Sequence, residues 1–237
     1  MSETASPLPP TTERQDFREI LRLVRPGARV LDVGCGEGEL LALLRDEKGV
    51  DGRGLEIRAE QVSACIAKGI AAMQGDADQD LDEFPPKSFD YVILSQTLQA
   101  VQAPKAVLSA LVRLANHAIV SFPNFGHWRV RTSLFVKGRM PDTPALPVPW
   151  YETPNIHLCT LADFVGLATE LDLRIEACAA LSANKPARLI NPRSEIENWR
   201  AESVLFLLSR KRSDDPGPPA KFRPSPSPGA ATRDLFQ

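Results

Sequence analysis

The stretch Arg29 to Leu44, RVLDVGCGEGELLALL, decides the fold of this chain. Its first part is an apolar run interrupted by Asp32, which predicts a buried parallel strand that ends in a charge. Gly34, Gly36 and Gly38 follow at every second position, and leucines at helical spacing come next. A strand, a glycine-rich turn and a helix in this order build a nucleotide cradle. The glycines let a ligand approach the backbone, and the start of the helix offers free N–H groups.

The spacing and charge of the turn narrow the class of ligand. A dinucleotide fingerprint counted from Gly34 would need its third glycine at Glu39, and the Gly-Lys-Ser/Thr ending of a P-loop is absent. Acids stand there instead, with Asp32 before the turn, Glu37 within it and Glu39 after it. Three carboxylates would repel a pyrophosphate but suit a ligand that carries an ammonium or sulfonium group. The D-x-G-x-G-x-G pattern resembles motif I of the class I methyltransferases, which bind S-adenosylmethionine (SAM).

Length, charge and cysteine usage limit the class of protein. The 237 residues, 43% of them hydrophobic, fit one large α/β domain with tails. A net charge of −2 gives no general attraction to nucleic acid or to an anionic membrane. The four cysteines form no C-x-x-C pair, which argues against zinc and for reduced thiols. No apolar run reaches membrane-spanning length, so we expect a cytoplasmic protein without a metal or a membrane anchor.

The pattern along the chain predicts a doubly wound, Rossmann-like α/β sheet of seven mostly parallel strands. The expected strands are 30–33, 54–57, 70–74, 88–94, 116–122, 173–181 and 204–208, and the last two form an antiparallel hairpin. Helices are expected at 16–24, after the glycine turn, and at 58–68, 104–114 and 161–171. We expect residues 16–211 to form a class I methyltransferase-like domain. Proline-rich residues 1–15 and 212–237 are expected to be disordered tails.

Polar residues at the expected strand ends complete a pocket. Glu56 follows Gly34 by about 20 residues, and an acid at this distance accepts hydrogen bonds from ribose hydroxyls. In the SAM-binding pattern the acid after the third strand, here Asp76, takes the adenine amino group, and the N–H of Ala77 meets a ring nitrogen. Asp78, Asp80 and the acids after them are expected to be solvated surface. The expected cofactor-binding set is Asp32, Gly34, Cys35, Gly36, Gly38, Glu56, Ile57, Asp76, Ala77, Ser95 and Gln96.

Residues 123–160, called here the lid segment, show no regular pattern and are predicted to cover the ligand crevice. If the chain is a catalyst, His127, Tyr151 and His157 are the candidates to line the substrate site. The two histidines lack clustered Cys, Asp or further His, which argues against a metal site. Roles as bases near pH 7 and as structural or positioning residues both stay open. The arginines of the segment could bind an anion or face a partner protein.

Several segments together resemble the MetW family of methionine biosynthesis. They are Val30–Leu41, Ile93–Ala100 (ILSQTLQA), Ser121–Val130 (SFPNFGHWRV), Gly138–Pro141, Trp150–Thr160 and Asn198–Glu202 (NWRAE). The resemblance extends from about Phe17 to Arg210, with one departure at Glu37, where the family turn more often has Asp.

The MetW resemblance implies a protein that binds SAM or S-adenosylhomocysteine and is the partner or activator of a MetX-type homoserine O-acyltransferase. The alternative is an active SAM-dependent methyltransferase on a small molecule. Methylation of nucleic acid is disfavoured, because the sequence lacks an N-P-P-Y/F signature and a dominant basic face.

Overall fold

Helices and strands alternate along the chain in the computed structural model, which describes residues 14–141, 143, 145–146, 150, 152–153, 155–182 and 185–211. The helices are α1 (Gln15–Leu23), α2 (Glu39–Lys48), α3 (Ala59–Ala67), α4 (Pro104–Leu114), α5 (Trp128–Thr132), α6 (Leu161–Glu170) and α7 (Glu195–Arg200). The strands are β1 (Arg29–Val33), β2 (Asp51–Glu56), β3 (Ala71–Gln74), β4 (Phe89–Ser95), β5 (Ala115–Pro123), β6 (Leu173–Ser182), β7 (Lys185–Leu189) and β8 (Ser203–Arg210). Most predicted elements agree with these bounds to within a residue or two, although β2 starts three residues earlier than expected.

The strands form one sheet in the order β3-β2-β1-β4-β5-β8-β6-β7. The first five strands are parallel, and β8 enters antiparallel between β5 and β6. The order reverses between β1 and β4, and ligands of open α/β sheets bind at such a reversal, beyond the carboxyl ends of the strands. The predicted doubly wound fold, with its mostly parallel sheet and C-terminal antiparallel strands, is confirmed.

The strand count differs from the prediction, because the described residues form eight strands rather than seven. The additional strand, β7, pairs antiparallel with the outer side of β6. Its five residues, Lys-Pro-Ala-Arg-Leu, include a proline and bury only Ala187. Proline is tolerated on an edge strand, where a missing N–H removes no ladder bond. Such a short, polar edge carries no clear period-2 signal, which explains why the sequence did not predict it.

Both faces of the sheet are covered, which is why the parallel strands are apolar throughout. On one face α4 and α6 pack on a core in which Phe164 contacts Phe122 and Phe206, with ring centroids 4.9 and 4.5 Å apart. On the other face Ile20 of α1 and Leu44 of α2 belong to a second core, in which α2 packs on β2 and α1 on β6 and β7. No helix in the described part of the chain is long and apolar enough to cross a membrane.

The lid segment has more regular structure than the sequence predicts. It contains α5 and a π-helical turn, Ser133–Lys137, which ends at Gly138 with a φ of 60°. The predicted capping box of α6 is present, because the Thr160 hydroxyl accepts a bond from the Asp163 N–H and the Asp163 carboxylate accepts one from the Thr160 N–H. The predicted cover over the crevice stays a prediction. Of the two predicted tails, 1–13 and 212–237 lie outside the described residues, and α1 begins at Gln15.

Asn124 ties the end of β5 to the elements that follow it. Its side chain is 1% exposed, and its amide nitrogen donates to the carbonyl oxygens of Asn198 and Ala201, at 2.8 Å each. Its amide oxygen accepts from the N–H groups of Gly126 and Leu161, at 3.0 and 2.9 Å. All four hydrogen-bonding positions of one amide are therefore used where β5, α6 and α7 meet.

We expect Asn124→Ala to lower the free energy of unfolding by about 3 kcal/mol, because it leaves four buried backbone groups unpaired. Asn116→Ala is the matched control, since Asn116 is exposed on the same strand and should change stability by less than about 0.5 kcal/mol. Urea denaturation of both variants measures the difference. Equal free energies of unfolding for the two variants would show that water replaces the hydrogen bonds of Asn124 without loss of stability.

Candidate functional site

The glycine turn after β1 has the backbone conformation that its sequence predicts. Gly34, Gly36 and Gly38 have φ values of 74°, 56° and 76°, a region that other residues rarely adopt. The Gly34 N–H donates to Leu55 O at 2.8 Å, which ties the turn to β2. Gly38 starts α2 without a side-chain cap, so the first N–H groups of that helix are open to a ligand.

Asp32, the second-last residue of β1, places a carboxylate beside the glycine turn. It is 3% exposed, and among the described residues no hydrogen-bond donor reaches its carboxylate. Burial raises the pKa of Asp32 from 3.8 to about 7; the nearby Arg14 opposes the rise, while Asp16 and Glu56 add to it. A buried carboxylate without a donor is a costly arrangement that a ligand cation would relieve.

Arg14 and Asp16, two residues that the sequence analysis did not assign to the site, face the same crevice. The Arg14 Nη2 donates to Asp16 Oδ2 at 2.6 Å and to Ser95 Oγ at 3.0 Å, and its guanidinium lies 3.9 Å from the Phe17 ring centroid. The Ser95 hydroxyl donates to Asp16 Oδ2 at 2.6 Å. Arg14 was missed because it falls in the predicted tail. The signal for Asp16 was its place on the apolar face of α1, one turn before Ile20.

Glu56 lies against the glycine turn, as its spacing predicts. Its Oε2 accepts from the Gly36 N–H at 3.0 Å and its Oε1 from the Arg58 N–H at 3.1 Å. The side chain is 5% exposed, so these two bonds fix its orientation. The next residue, Ile57, is 60% exposed and offers an apolar surface beside this acid. Each carboxylate oxygen of Glu56 keeps a second acceptor position for a ligand hydroxyl.

The loop after β3 is more ordered than the sequence analysis expects. Asp76 Oδ1 accepts from the Asp78 N–H at 2.9 Å, and the Asp76 N–H donates to Asp80 Oδ2 at 2.7 Å. Asp78 in turn accepts from the N–H groups of Gln102 and Ala103, at 2.8 Å each. The expectation that Asp78 and Asp80 are merely solvated is therefore wrong. The adenine-binding role of Asp76 and Ala77 stays a prediction.

Gln96 and Gln99 shape the loop after β4. Gln96 adopts a φ of 56°, unusual for a side-chain-bearing residue, and its N–H donates to Ser121 O at 2.9 Å. The Gln99 carbonyl oxygen accepts from the N–H groups of Ile156 and His157, at 2.8 and 2.9 Å. The end of the lid segment is therefore docked on the loop that follows β4, at the carboxyl edge of the sheet.

His127 and His157, two of the three candidate catalytic residues, contact different parts of the chain. His157 is exposed, and its Nε2 lies 3.1 Å from Gln102 O. His127 is 5% exposed; burial lowers its pKa, while the Glu202 carboxylate opposes that and Arg129 adds to it. Tyr151 lies outside the described residues. A catalytic role for any of the three stays a prediction.

Cys35 contributes its backbone to the turn, and its thiol packs between Cys65 of α3 and Gly54 of β2. Its Sγ lies 3.9 Å from the Sγ of Cys65 on α3, and both side chains are buried. The space for the two sulfur atoms exists because Gly38 and Gly54 have no Cβ, which would collide with them. Burial raises the pKa of both thiols, so neither is an activated nucleophile.

Comparison with known proteins agrees with this architecture. The family described as "Methionine biosynthesis protein MetW" matches residues 14–208. The chain belongs to the MetW family. It is 36% identical over 205 residues to the bifunctional methionine biosynthesis protein MetXA/MetW of Rhodopirellula baltica. The aligned region is 83% of this chain and 33% of that protein. The chain therefore spans only about a third of that relative's length.

Two further similarities come from methyltransferases. The ajmaline N-methyltransferase of Rauvolfia serpentina is 26% identical over 189 residues, which are 76% of this chain and 62% of that enzyme. A solved structure of a SAM-dependent methyltransferase from Thermotoga maritima, described as a possible histamine N-methyltransferase, superimposes with a TM-score of 0.61. Its sequence identity is 15%, and the match covers 83% of this chain and 88% of that one. The fold is that of the class I methyltransferases.

We expect Gly34→Ala to disrupt the cradle. An added Cβ would lie 2.7 Å from the Thr97 side chain at a φ of 74°, so it combines strain with collision. Gly49→Ala is the control, since Gly49 has a φ of 60° and nothing within 4 Å of the added atom. Gly49→Ala should cost about 1 kcal/mol and leave ligand binding unchanged. Gly34→Ala should cost at least about 2 kcal/mol more and weaken SAM binding tenfold or more, by calorimetry.

The raised pKa of Asp32 predicts a pH dependence of SAM binding. Only the ionised carboxylate attracts the ligand ammonium, so affinity should fall up to about tenfold per pH unit below about 7. Below that pH, binding should release close to one proton, measured by titration calorimetry in two buffers of different ionisation enthalpy. Above about pH 8 the ligand's own amino group deprotonates, so the affinity for SAM stops rising with pH. A flat profile would exclude contact between Asp32 and a cation.

The raised pKa of Asp32 makes the stability of the folded protein depend on pH in the opposite direction to SAM binding. Between pH 4 and about 7 the folded chain keeps a proton on Asp32 that the unfolded chain has lost, so stability falls as the pH rises through this window. Asp32→Asn should therefore stabilise the ligand-free protein at pH 8 by ~2 kcal/mol while abolishing detectable SAM binding. Thermal unfolding at pH 5 and pH 8 measures this, and equal gains at both values would contradict the assignment.

Proposed function

We propose that this chain binds SAM or S-adenosylhomocysteine in the glycine-turn cradle and acts in the cytoplasm as partner and activator of homoserine O-acyltransferase. The observation that carries the proposal is a cofactor cradle in a chain 36% identical to part of a polypeptide whose name joins MetXA and MetW. Two functions carried on one polypeptide are held at high effective concentration, an arrangement that favours proteins working as a pair.

The cradle accounts for each end of the proposed ligand. Asp32 would meet the ammonium of the methionyl part, and the open N–H groups at the start of α2 would face its carboxylate. Glu56 has acceptor positions for the ribose hydroxyls, and the loop of Asp76 and Ala77 would hold the adenine. Bound SAM would supply a positively charged sulfonium, which the field of Asp32 and Glu56 favours.

A regulatory role fits the chemistry of this ligand. SAM contains the methionine skeleton, so a methionine-biosynthesis protein that binds SAM can report how much product the cell holds. If the complex with the acyltransferase binds SAM more tightly or more weakly than the free chain, SAM must change the stability of that complex by the same factor. Such coupling needs no methyl transfer.

The alternative function is methyl transfer to a small molecule, and the similarity to an N-methyltransferase favours it. In-line transfer from a sulfonium needs a positioned acceptor and little else from the protein. His127, Tyr151 and His157 are the candidates to line that acceptor site. The fold by itself does not decide between the two functions.

The deciding experiment measures the acyl-transfer rate of the same organism's homoserine O-acyltransferase with and without this chain, across a SAM titration. The chain should raise the rate, SAM should modulate the increase, and Asp32→Asn should remove the SAM response while leaving the complex intact. An unchanged rate and no complex by analytical ultracentrifugation would overturn the proposal. Transfer of a labelled methyl group from SAM to a metabolite pool would then support the alternative.

A further inference from the structure

An exposed apolar surface lies on α5, the π-helical turn after it and α7. We call it the aromatic patch and define it by Trp128, Leu134, Phe135, Val136, Ile196 and Trp199. Phe135 is 92% exposed and Val136 70% exposed, which are extreme values for side chains of this kind. Single exposed apolar residues are ordinary in proteins, but a cluster of six on adjoining helices marks an interaction site.

The patch is continuous across its two halves. The rings of Trp128 and Trp199 lie 6.0 Å apart, which joins α5 to α7. Leu134, Phe135 and Val136 lie on the π-helical turn that continues directly from α5. Ile196 and Trp199 are three residues apart on α7 and share one face of that helix.

The base of the patch is held in place, so the surface is formed before any partner binds. Arg131 Nε donates to Gly126 O at 2.6 Å, and Asn124 fixes both Gly126 and the end of α7 through its four hydrogen bonds. Residues 131–140 lie at the surface apart from the half-buried Ser133, and Leu134 and Met140 are 39% and 42% exposed. A preformed surface lowers the entropic cost of association.

The size of the patch fits a protein partner. From the exposed fractions, the six side chains present roughly 700 Å² of apolar surface, given side-chain areas of about 150–250 Å². The largest apolar patch of an ordinary monomer is about 300–600 Å², whereas a stable complex buries about 800 Å² on each partner. Tryptophan, phenylalanine and arginine, the residue types of this surface, are those enriched at the centres of interfaces.

The charges around the patch have both signs. Arg129 lies 3.5 Å from the Glu202 carboxylate, and Glu195 and Glu197 flank Ile196 on α7. A partner with an apolar centre and charges of both signs around it would complement this surface. The relative whose name joins MetXA and MetW on one polypeptide points to the acyltransferase, rather than a second copy, as the occupant.

We infer that the aromatic patch is the surface through which this chain binds homoserine O-acyltransferase. This inference rests on the proposed function, which identifies the partner, and the patch adds where on this chain that partner binds. The cradle and the patch use different elements of the fold, so one chain can hold the nucleotide and the enzyme at the same time.

The test measures the dissociation constant of the complex between the full chain and the acyltransferase by analytical ultracentrifugation. Phe135→Ser combined with Val136→Ser, and Trp199→Ala separately, should each weaken the complex tenfold or more. Ile66→Ser is the matched control, since Ile66 is 60% exposed on α3, outside the patch, and should leave the complex unchanged. All variants should bind SAM as the wild type does, which shows that they are folded.

The outcomes separate the patch from the function. If the wild-type complex forms and both patch variants bind equally well, the interface lies elsewhere and the proposed function survives. If the wild-type chain forms no complex, both proposals fail. If the chain alone forms a dimer that the Phe135 and Val136 changes dissociate, while the acyltransferase complex is unaffected, the occupant is a second copy and this inference is overturned.

Discussion

The desolvation of one carboxylate, Asp32, governs the electrostatics of the whole crevice. Among the described residues it has no hydrogen-bond donor, and the two other acids near it, Asp16 and Glu56, increase rather than relieve its cost. Glu56 is satisfied by backbone N–H groups, and Asp16 by Arg14 and Ser95, so both keep fixed positions. The crevice is thus prepared for a cation at one point, at the expense of the stability of the empty protein.

The loop after β4 joins the parts of the molecule that the proposed function needs. Asp78, from the loop after β3, binds the N–H groups of Gln102 and Ala103, and the Gln99 carbonyl oxygen binds the end of the lid segment. Two short hydrogen-bonded steps therefore separate the expected adenine loop from the lid segment. The geometry offers a contact route by which ordering of one loop restricts the other.

The predictable part of the fold is the part fixed by local chemistry. The alternation of apolar runs, the glycines that need positive φ and the Thr160–Asp163 capping box all act within a few residues, and the structure has each of them. The spacing from the turn to Glu56 was also predictable, since a strand–helix–strand unit has a narrow range of lengths.

The residues that the sequence analysis missed depend on contacts between distant segments. Arg14 meets Ser95 only because the start of α1 lies at the end of β4, and Asp78 meets Gln102 only because two loops converge at one edge of the sheet. The strand β7 likewise needs β6 as its neighbour before its short polar sequence can be extended. A single sequence carries no local pattern for such pairings.

The last strand of the described chain lies in the middle of the sheet, and this affects how the protein can be made. β8 separates β5 from β6, and its Leu205 and Phe206 belong to the cores on opposite faces. During synthesis the first five strands can pair as they leave the ribosome, but β5 keeps an open edge until about residue 210 has emerged. A chain that stops before β8 would therefore not lose an edge strand. It would divide the sheet into two pieces that share no hydrogen bond, so the domain is completed only when its last strand is made.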